Sequence, residues 1–153
     1  MSLNKMVILD GWAYKIALLI SCMSISISSW ANCSINSSSL IFGAYDVFAA
    51  YPTDSVGNIH VQCDEESAYT LKISQGNGSY ANRYMVNQKN QLNYNLYMDA
   101  SYLLVWGDGT DGSSTQSAMT AHSVQYNIYG RIFARQNVSV GYYSDVILVT
   151  LEY

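Results

Sequence analysis

Residues 141–153 alternate strictly at their C-terminal end, with Ile147, Val149, Leu151 and Tyr153 on one parity and Leu148, Thr150 and Glu152 on the other. Successive strand side chains point to opposite faces, so this is a half-buried β-strand whose inner face is wholly apolar. The sequence stops on it, with no turn or further strand beyond. A sandwich ending on a core strand is expected to leave a sheet edge and an adjoining groove uncovered. Natural proteins blunt or pair such apolar edges, so the expectation is assembly through strand pairing rather than catalysis.

The same period of two recurs upstream. Ile59, Val61 and Cys63 alternate with Asn58, His60 and Gln62, and Tyr69, Leu71 and Ile73 with Thr70, Lys72 and Ser74. Leu92, Tyr94, Leu96 and Met98 share one face of a further strand, as do Val124, Tyr126, Ile128, Gly130 and Ile132. A first, irregular strand is expected over residues 34–45 around Ile35, Leu40 and Phe42. A short stretch at 83–86 is suited to an edge, and Gly76-Asn77-Gly78 marks a turn. Residues 110–120, small and polar, read as a flexible loop. No segment has helical periodicity with caps at both ends. About six strands spaced by turns indicate an all-β immunoglobulin-like sandwich, one strand short of the usual seven.

Of the 153 residues, 14 are tyrosine, a strand-favouring residue with an amphipathic ring. Lys5 and Lys15 followed by the apolar, serine-interrupted residues 16–27 and by Ser29-Trp30-Ala31 read as a secretory leader cut after Ala31. The expected organisation is a signal peptide over 1–31 and one domain over 32–153, with no membrane span in the mature form. Asp10 is unusual in such a leader, and Cys22 has the alternative reading of a lipidated cysteine. Cleavage removes two of the 7 basic and one of the 11 acidic residues, taking the net charge from −4 to 5 − 10 = −5. An acidic surface without a basic patch excludes a nucleic-acid partner. Cys33 and Cys63 remain as an even pair in an exported chain and read as one disulfide.

Nothing suggests an enzyme, a cofactor or a metal. His60 and Cys63 lie three apart on a strand and face opposite sides. His122 has no evident partner, and no nucleophile elbow, HExxH or phosphate loop is present. Asp108-Gly109-Thr110-Asp111-Gly112 has the wrong spacing for a calcium loop and reads as a turn. The Asn-X-Ser sequons at Asn36, Asn77 and Asn137 are what Asn- and Ser-rich turns produce by chance.

A series of motifs then occurs in order. They are Cys33 with Leu40-Ile41-Phe42-Gly43-Ala44-Tyr45, Gly57-Asn58-Ile59-His60-Val61-Gln62-Cys63, Leu71-Lys72-Ile73-Ser74-Gln75-Gly76 and Arg83-Tyr84-Met85. Leu92-Asn93-Tyr94-Asn95-Leu96-Tyr97, Trp106-Gly107-Asp108-Gly109, Tyr129-Gly130-Arg131-Ile132 and the run from Gln136 to Val146 follow. Together they resemble the spore coat protein U domain family, which includes subunits of archaic chaperone–usher pili. The resemblance implies an incomplete immunoglobulin-like fold. A periplasmic chaperone and then the N-terminal extension of the next subunit lend it the missing strand, with an outer-membrane usher as a further partner. By the same resemblance Leu40, Phe42, Ile147, Val149 and Leu151 flank the donor-strand groove, Cys33 and Cys63 form the family disulfide, and Glu152 and Tyr153 lie where a chaperone grips.

The family's polymerising subunits carry a donor segment before the first cysteine. Cleavage after Ala31 leaves only Asn32 there, too short for a strand of about 5–10 residues. The expectation is a terminal or accessory subunit of a surface fibre, supporting adhesion or biofilm, in the periplasm in transit and then at the cell surface. Cleavage before Met23 would instead release a segment in which Met23, Ile25 and Ile27 alternate with serines. The alternatives are a coat or matrix protein without a pilus, and a carbohydrate-binding adhesin in which Trp106, Tyr97, Tyr102 and Tyr129 stack on sugars.

Overall fold

The computed structural model describes residues 32–120 and 122–153. The expected leader over 1–31 and Cys22 lie outside the described residues. The eight strands run in the order β1 (Cys33–Ser37), β2 (Thr53–Cys63), β3 (Ser67–Ile73), β4 (Arg83–Asn87), β5 (Asn90–Tyr97), β6 (Gln116–Thr120), β7 (Ser123–Ile132) and β8 (Val149–Glu152). They form a five-stranded sheet, β1-β2-β7-β5-β4, and a three-stranded sheet, β6-β3-β8. All named pairings are antiparallel, as an all-β sandwich requires.

The period-two alternation has the expected cause. On β2, Gly57, Ile59, Val61 and Cys63 are buried while Val56 and Gln62 face out. On β7, Ile128, Gly130 and Ile132 are buried. Tyr69, Leu71 and Ile73 of β3 meet them from the other sheet as one core cluster. A one-residue slip in any of these strands would turn its apolar set to water, so the burial pattern sets the register. Tyr69 and Tyr126 hydroxyls bond at 2.7 Å, and burial, with that bond, pushes the Tyr69 phenol pKa up. Cys33 and Cys63 are directly opposed on β1 and β2 and form a disulfide.

The strand count differs from the expected six in ways that matter. Residues 116–120, read as loop, form β6, because Ser67–Leu71 of β3 offers them a ladder. Arg83–Asn87 is a full edge strand paired to β5. Conversely, the first and last strands are much shorter than their sequence patterns. Only Cys33–Ser37 and Val149–Glu152 are laddered, and residues 38–47 and 141–148 continue without one. Neither sheet supplies a continuous ladder for their backbones, which meet the sheets only at isolated points such as Ser38–Asn58 and Val86–Ser144.

Candidate functional site: an apolar trough between two unladdered segments

Those two segments are the walls of a trough. One cavity, of about 700 Å³, is lined by residues from 40–47, by Met85, Leu92 and Ile132, and by residues from 138–143. A second, of about 400 Å³, continues it along residues 37–42, Tyr94, Leu96, Ile128 and residues 143–149. The two share Leu40, Phe42, Met85 and Tyr143, so they are consecutive stretches of one channel. Its floor is the inner face of β5 and β7.

Glycine makes room for one wall. A Cβ on Gly57 would lie 3.2 Å from the Leu40 Cβ, and one on Gly130 would lie 2.7 Å from Phe42 Cζ and 2.9 Å from both Leu40 methyls. Leu40 and Phe42 therefore sit on a patch of sheet that has no side chains of its own. Phe42 also meets Tyr94 edge-on at 6.0 Å between ring centroids. Beyond it, the Tyr45 hydroxyl donates to the Phe133 carbonyl at 2.9 Å and accepts from Gln136 N at 2.8 Å. The same wall receives Ser55 Oγ on the Ile41 carbonyl, at 2.6 Å, and Asn58 N on Ser38 Oγ, at 3.0 Å, and sends Ser38 N to the Asn58 carbonyl, at 3.0 Å.

The opposite wall is anchored at points. Ser144 and Val86 exchange both backbone bonds, at 2.9 and 3.2 Å, and Leu148 is fastened to Ser74. Between the anchors the backbone has no ladder, and Val146 N is taken by the Asp145 carboxylate at 2.7 Å. The rims carry exposed apolar side chains, with Ile41 77%, Val140 104%, Tyr142 99% and Val146 85% exposed. Apolar floor, half-buried walls and unladdered backbone on both sides are what an added strand needs.

The residues expected at the groove separate into two groups. Leu40, Phe42, Ile147 and Val149 line the channel. Leu151 pairs with Leu71 on β3, packs against the core and does not line it. Glu152 bonds Lys72 at 2.6 Å, and Tyr153 is 61% exposed. The floor residues Met85, Leu92, Leu96 and Ile128 and the wall residues Val138 and Tyr143 line it too. The alternation of Leu92, Leu96 and Ile128 was legible, but nothing in sequence separated a groove floor from an ordinary core.

The aromatic residues weighed as a sugar platform do not form one. Trp106 is 1% and Tyr97 8% exposed; the Trp106 ring belongs to the core cluster, and Trp106 N donates to the Leu96 carbonyl at 2.9 Å. The face of Tyr102 is taken by the Arg131 guanidinium, 3.5 Å from its centroid. Asp108 accepts from both Thr110 N and Thr110 Oγ1, a turn rather than a cation loop. Among the described residues no group of three potential metal ligands converges. His60 bonds Ser123 Oγ across β2 and β7.

Residues 19–150 match the Spore Coat Protein U domain. The chain belongs to that family. A curated relative, Protein U of Myxococcus xanthus, is 32% identical over 139 residues, which is 79% of this chain and 77% of the relative. Among solved structures, the fold resembles a chain of the CsuC–CsuE chaperone–tip adhesion subunit pre-assembly complex from the archaic chaperone-usher Csu pili of Acinetobacter baumannii. The TM-score is 0.58 at 20% identity, covering 81% of this chain. The match spans 40% of that solved chain. At that identity the likeness concerns the fold, an immunoglobulin-like sandwich of two antiparallel sheets. Among the described residues no helix is long and apolar enough to cross a membrane.

Proposed function

We propose that this protein is an exported structural subunit that accepts an extended strand from a neighbouring polypeptide in its trough, in the manner of chaperone–usher pilus assembly. One observation carries the proposal. The channel is lined largely by apolar residues and bordered along residues 38–47 and 141–148 by backbone without a continuous ladder. An extended chain rises about 3.3 Å per residue, so walls of this length suit a strand of roughly ten residues. Main-chain pairing would supply affinity, and alternate side chains entering the two cavities would supply selectivity.

The partners that fit are a periplasmic chaperone first, other subunits after it, and an outer-membrane usher as the export site. Family membership and the fold shared with the Csu pre-assembly complex support this choice. A terminal or accessory position follows if the leader is removed after Ala31. The family match begins at residue 19, upstream of that site, so the mature N-terminus decides between a chain that only accepts a strand and one that also donates. Intact mass of the exported protein reads it directly. A start before Met23 would end the terminal-subunit assignment.

The test of the main reading is co-expression of the full chain with an archaic-type chaperone, followed by isolation from the periplasm. A one-to-one complex is expected, lost on Leu40→Asp or Phe42→Asp. A monomer that persists without any partner and takes up no strand peptide would sink it. A coat or matrix role without a fibre is the second reading, favoured by the family's description as a spore coat domain. Surface extraction of the protein with no fibres in electron micrographs would select it.

A further inference from the structure

The 141–148 wall has little backbone pairing, at Ser144 and Leu148, and between those points one side chain gathers what fixes it. The Asp145 carboxylate accepts from Asn77 N at 3.1 and 3.2 Å, from Asn77 Nδ2 at 2.9 Å and from the Tyr94 hydroxyl at 2.7 Å. It also accepts from its neighbour's amide, Val146 N, at 2.7 Å. These donors come from three places. Tyr94 stands on the trough floor in β5, Asn77 belongs to the turn after β3, and Val146 is in the wall itself. A single carboxylate thus ties floor, turn and wall together.

The turn is shaped to admit it. Gly76 has φ +62°, and a Cβ there would fall 2.3 Å from Asp145 Oδ2 and 2.6 Å from Ile147 Cδ1. Burial raises the Tyr94 phenol pKa, and the Asp145 bond adds to it, so the hydroxyl keeps its proton and remains a donor. Arg83 lies within electrostatic reach of the carboxylate, but its guanidinium bonds go to Asn95 and to the Ser74 and Trp106 carbonyls. Asp145 is therefore committed to neutral donors that position the wall. Its flanking residues Tyr143 and Ile147 point into the trough and line it.

We propose that Asp145 is a positioning residue for strand capture: it sets the wall at strand-accepting spacing before the strand arrives. The inference rests on the strand-accepting reading above. A wall fixed in advance spares the incoming strand the entropy of ordering it, the general gain of preorganisation.

The test uses the full exported chain and a labelled synthetic peptide copying residues 23–31, in which Met23, Ile25 and Ile27 alternate with serines. Affinity is read by fluorescence anisotropy. Unfolding midpoints are taken for the empty and the peptide-filled protein. D145N is expected to weaken peptide binding about tenfold, with Y94F and N77A each weakening it less. The midpoint of the filled form should fall further than that of the empty one. S117A, on the far edge strand β6, should leave affinity unchanged. Equal loss of stability in both forms with unchanged affinity would show a merely structural bond and overturn the proposal. Should D145N fail to fold, unchanged affinity in both Y94F and N77A would overturn it equally. If the wild-type protein binds neither this peptide nor any of a set of alternating Ile–Ser and Val–Ser strands, the strand-accepting reading itself falls, and this one with it.

Discussion

The floor of the trough and its walls are equally apolar and differ in one respect, the completeness of their hydrogen bonding. The floor belongs to a continuous ladder in which Thr53–Gln62 of β2 pairs residue by residue with β7, and β7 with β5. Ile59 and Val61 are fully buried, and Ile132 is 2% exposed. The walls carry Leu40, Phe42, Tyr143 and Ile147, all packed against the same core and all only partly buried. Hydrophobic burial alone does not finish a sandwich. Buried backbone N–H and C=O groups also need partners, and the walls lack a continuous supply of them. The unfinished region is where a partner can act, because the free energy of completing it is still available.

The largest expected effect separates the two regions through Arg83, whose side chain is fully buried without a carboxylate partner. It donates to Asn95 Oδ1 at 2.6 Å and to the Ser74 and Trp106 carbonyls at 2.9 and 2.8 Å. Arg83→Ala would strand these buried acceptors and open a void, at a cost of about 3–5 kcal/mol. Urea denaturation measures it, and a loss below about 1 kcal/mol would show the cluster to be dispensable.

Removing the disulfide by Cys33→Ala with Cys63→Ala comes next, at about 3–4 kcal/mol in the chain-entropy model for a separation of 30 residues. Because residues 38–47 follow β1 directly, amide exchange should accelerate across residues 33–47 more than across the β2–β7 ladder. Uniform acceleration would mean that wall and floor open as one unit.

Gly130→Ala sharpens the contrast further. The new methyl would meet the far ends of Phe42 and Leu40, so the wall should shift while the floor stays, costing about 1–3 kcal/mol. Strand-peptide affinity should fall by more than the midpoint suggests. An unchanged affinity would show that the wall does not set the width of the channel.

Acid should act weakly and outside the trough. A bond from Arg131, opposed by partial burial, holds the Asp54 carboxyl below the usual carboxylate range. Its folded pKa is thus depressed, so its contribution is complete above the unfolded value and vanishes as pH falls through the folded one. The pair is partly exposed, so the effect is small. Asp54→Asn should therefore cost less than about 1 kcal/mol at neutral pH, where the contribution is complete, and the difference from wild type should fade as pH falls below about 4. The smallest change is Lys72→Ala, which breaks an exposed pair with Glu152 and should cost less than about 1 kcal/mol in thermal unfolding.

Alternation made β2, β3, β5 and β7 readable, because each buries one face and water selects against apolar residues on the other. β6 was hidden. In Gln116–Thr120 the largest apolar residue, Met119, points outward at 65% exposure, and an edge strand with little to bury leaves no periodic signal. β4 was half-hidden because its first inward residue is Arg83, a charge where a core residue is expected. Trp106 and Tyr97 were left open between a core role and the alternative sugar platform for the complementary reason. An aromatic ring next to polar residues carries no mark of whether it stacks on a ligand or fills a core.

From its residues alone, this chain settles its β class, its two-sided patterning and the cysteines that tie its first strand to its second, since each depends on local spacing and on which side chains avoid water. Which alternating segments obtain neighbours is decided only in three dimensions. Residues 38–47 and 141–148 carry the same pattern as the laddered strands, yet the sheets close without them. Backbone pairing is a property of two segments at once, and the sequence of either one does not contain it.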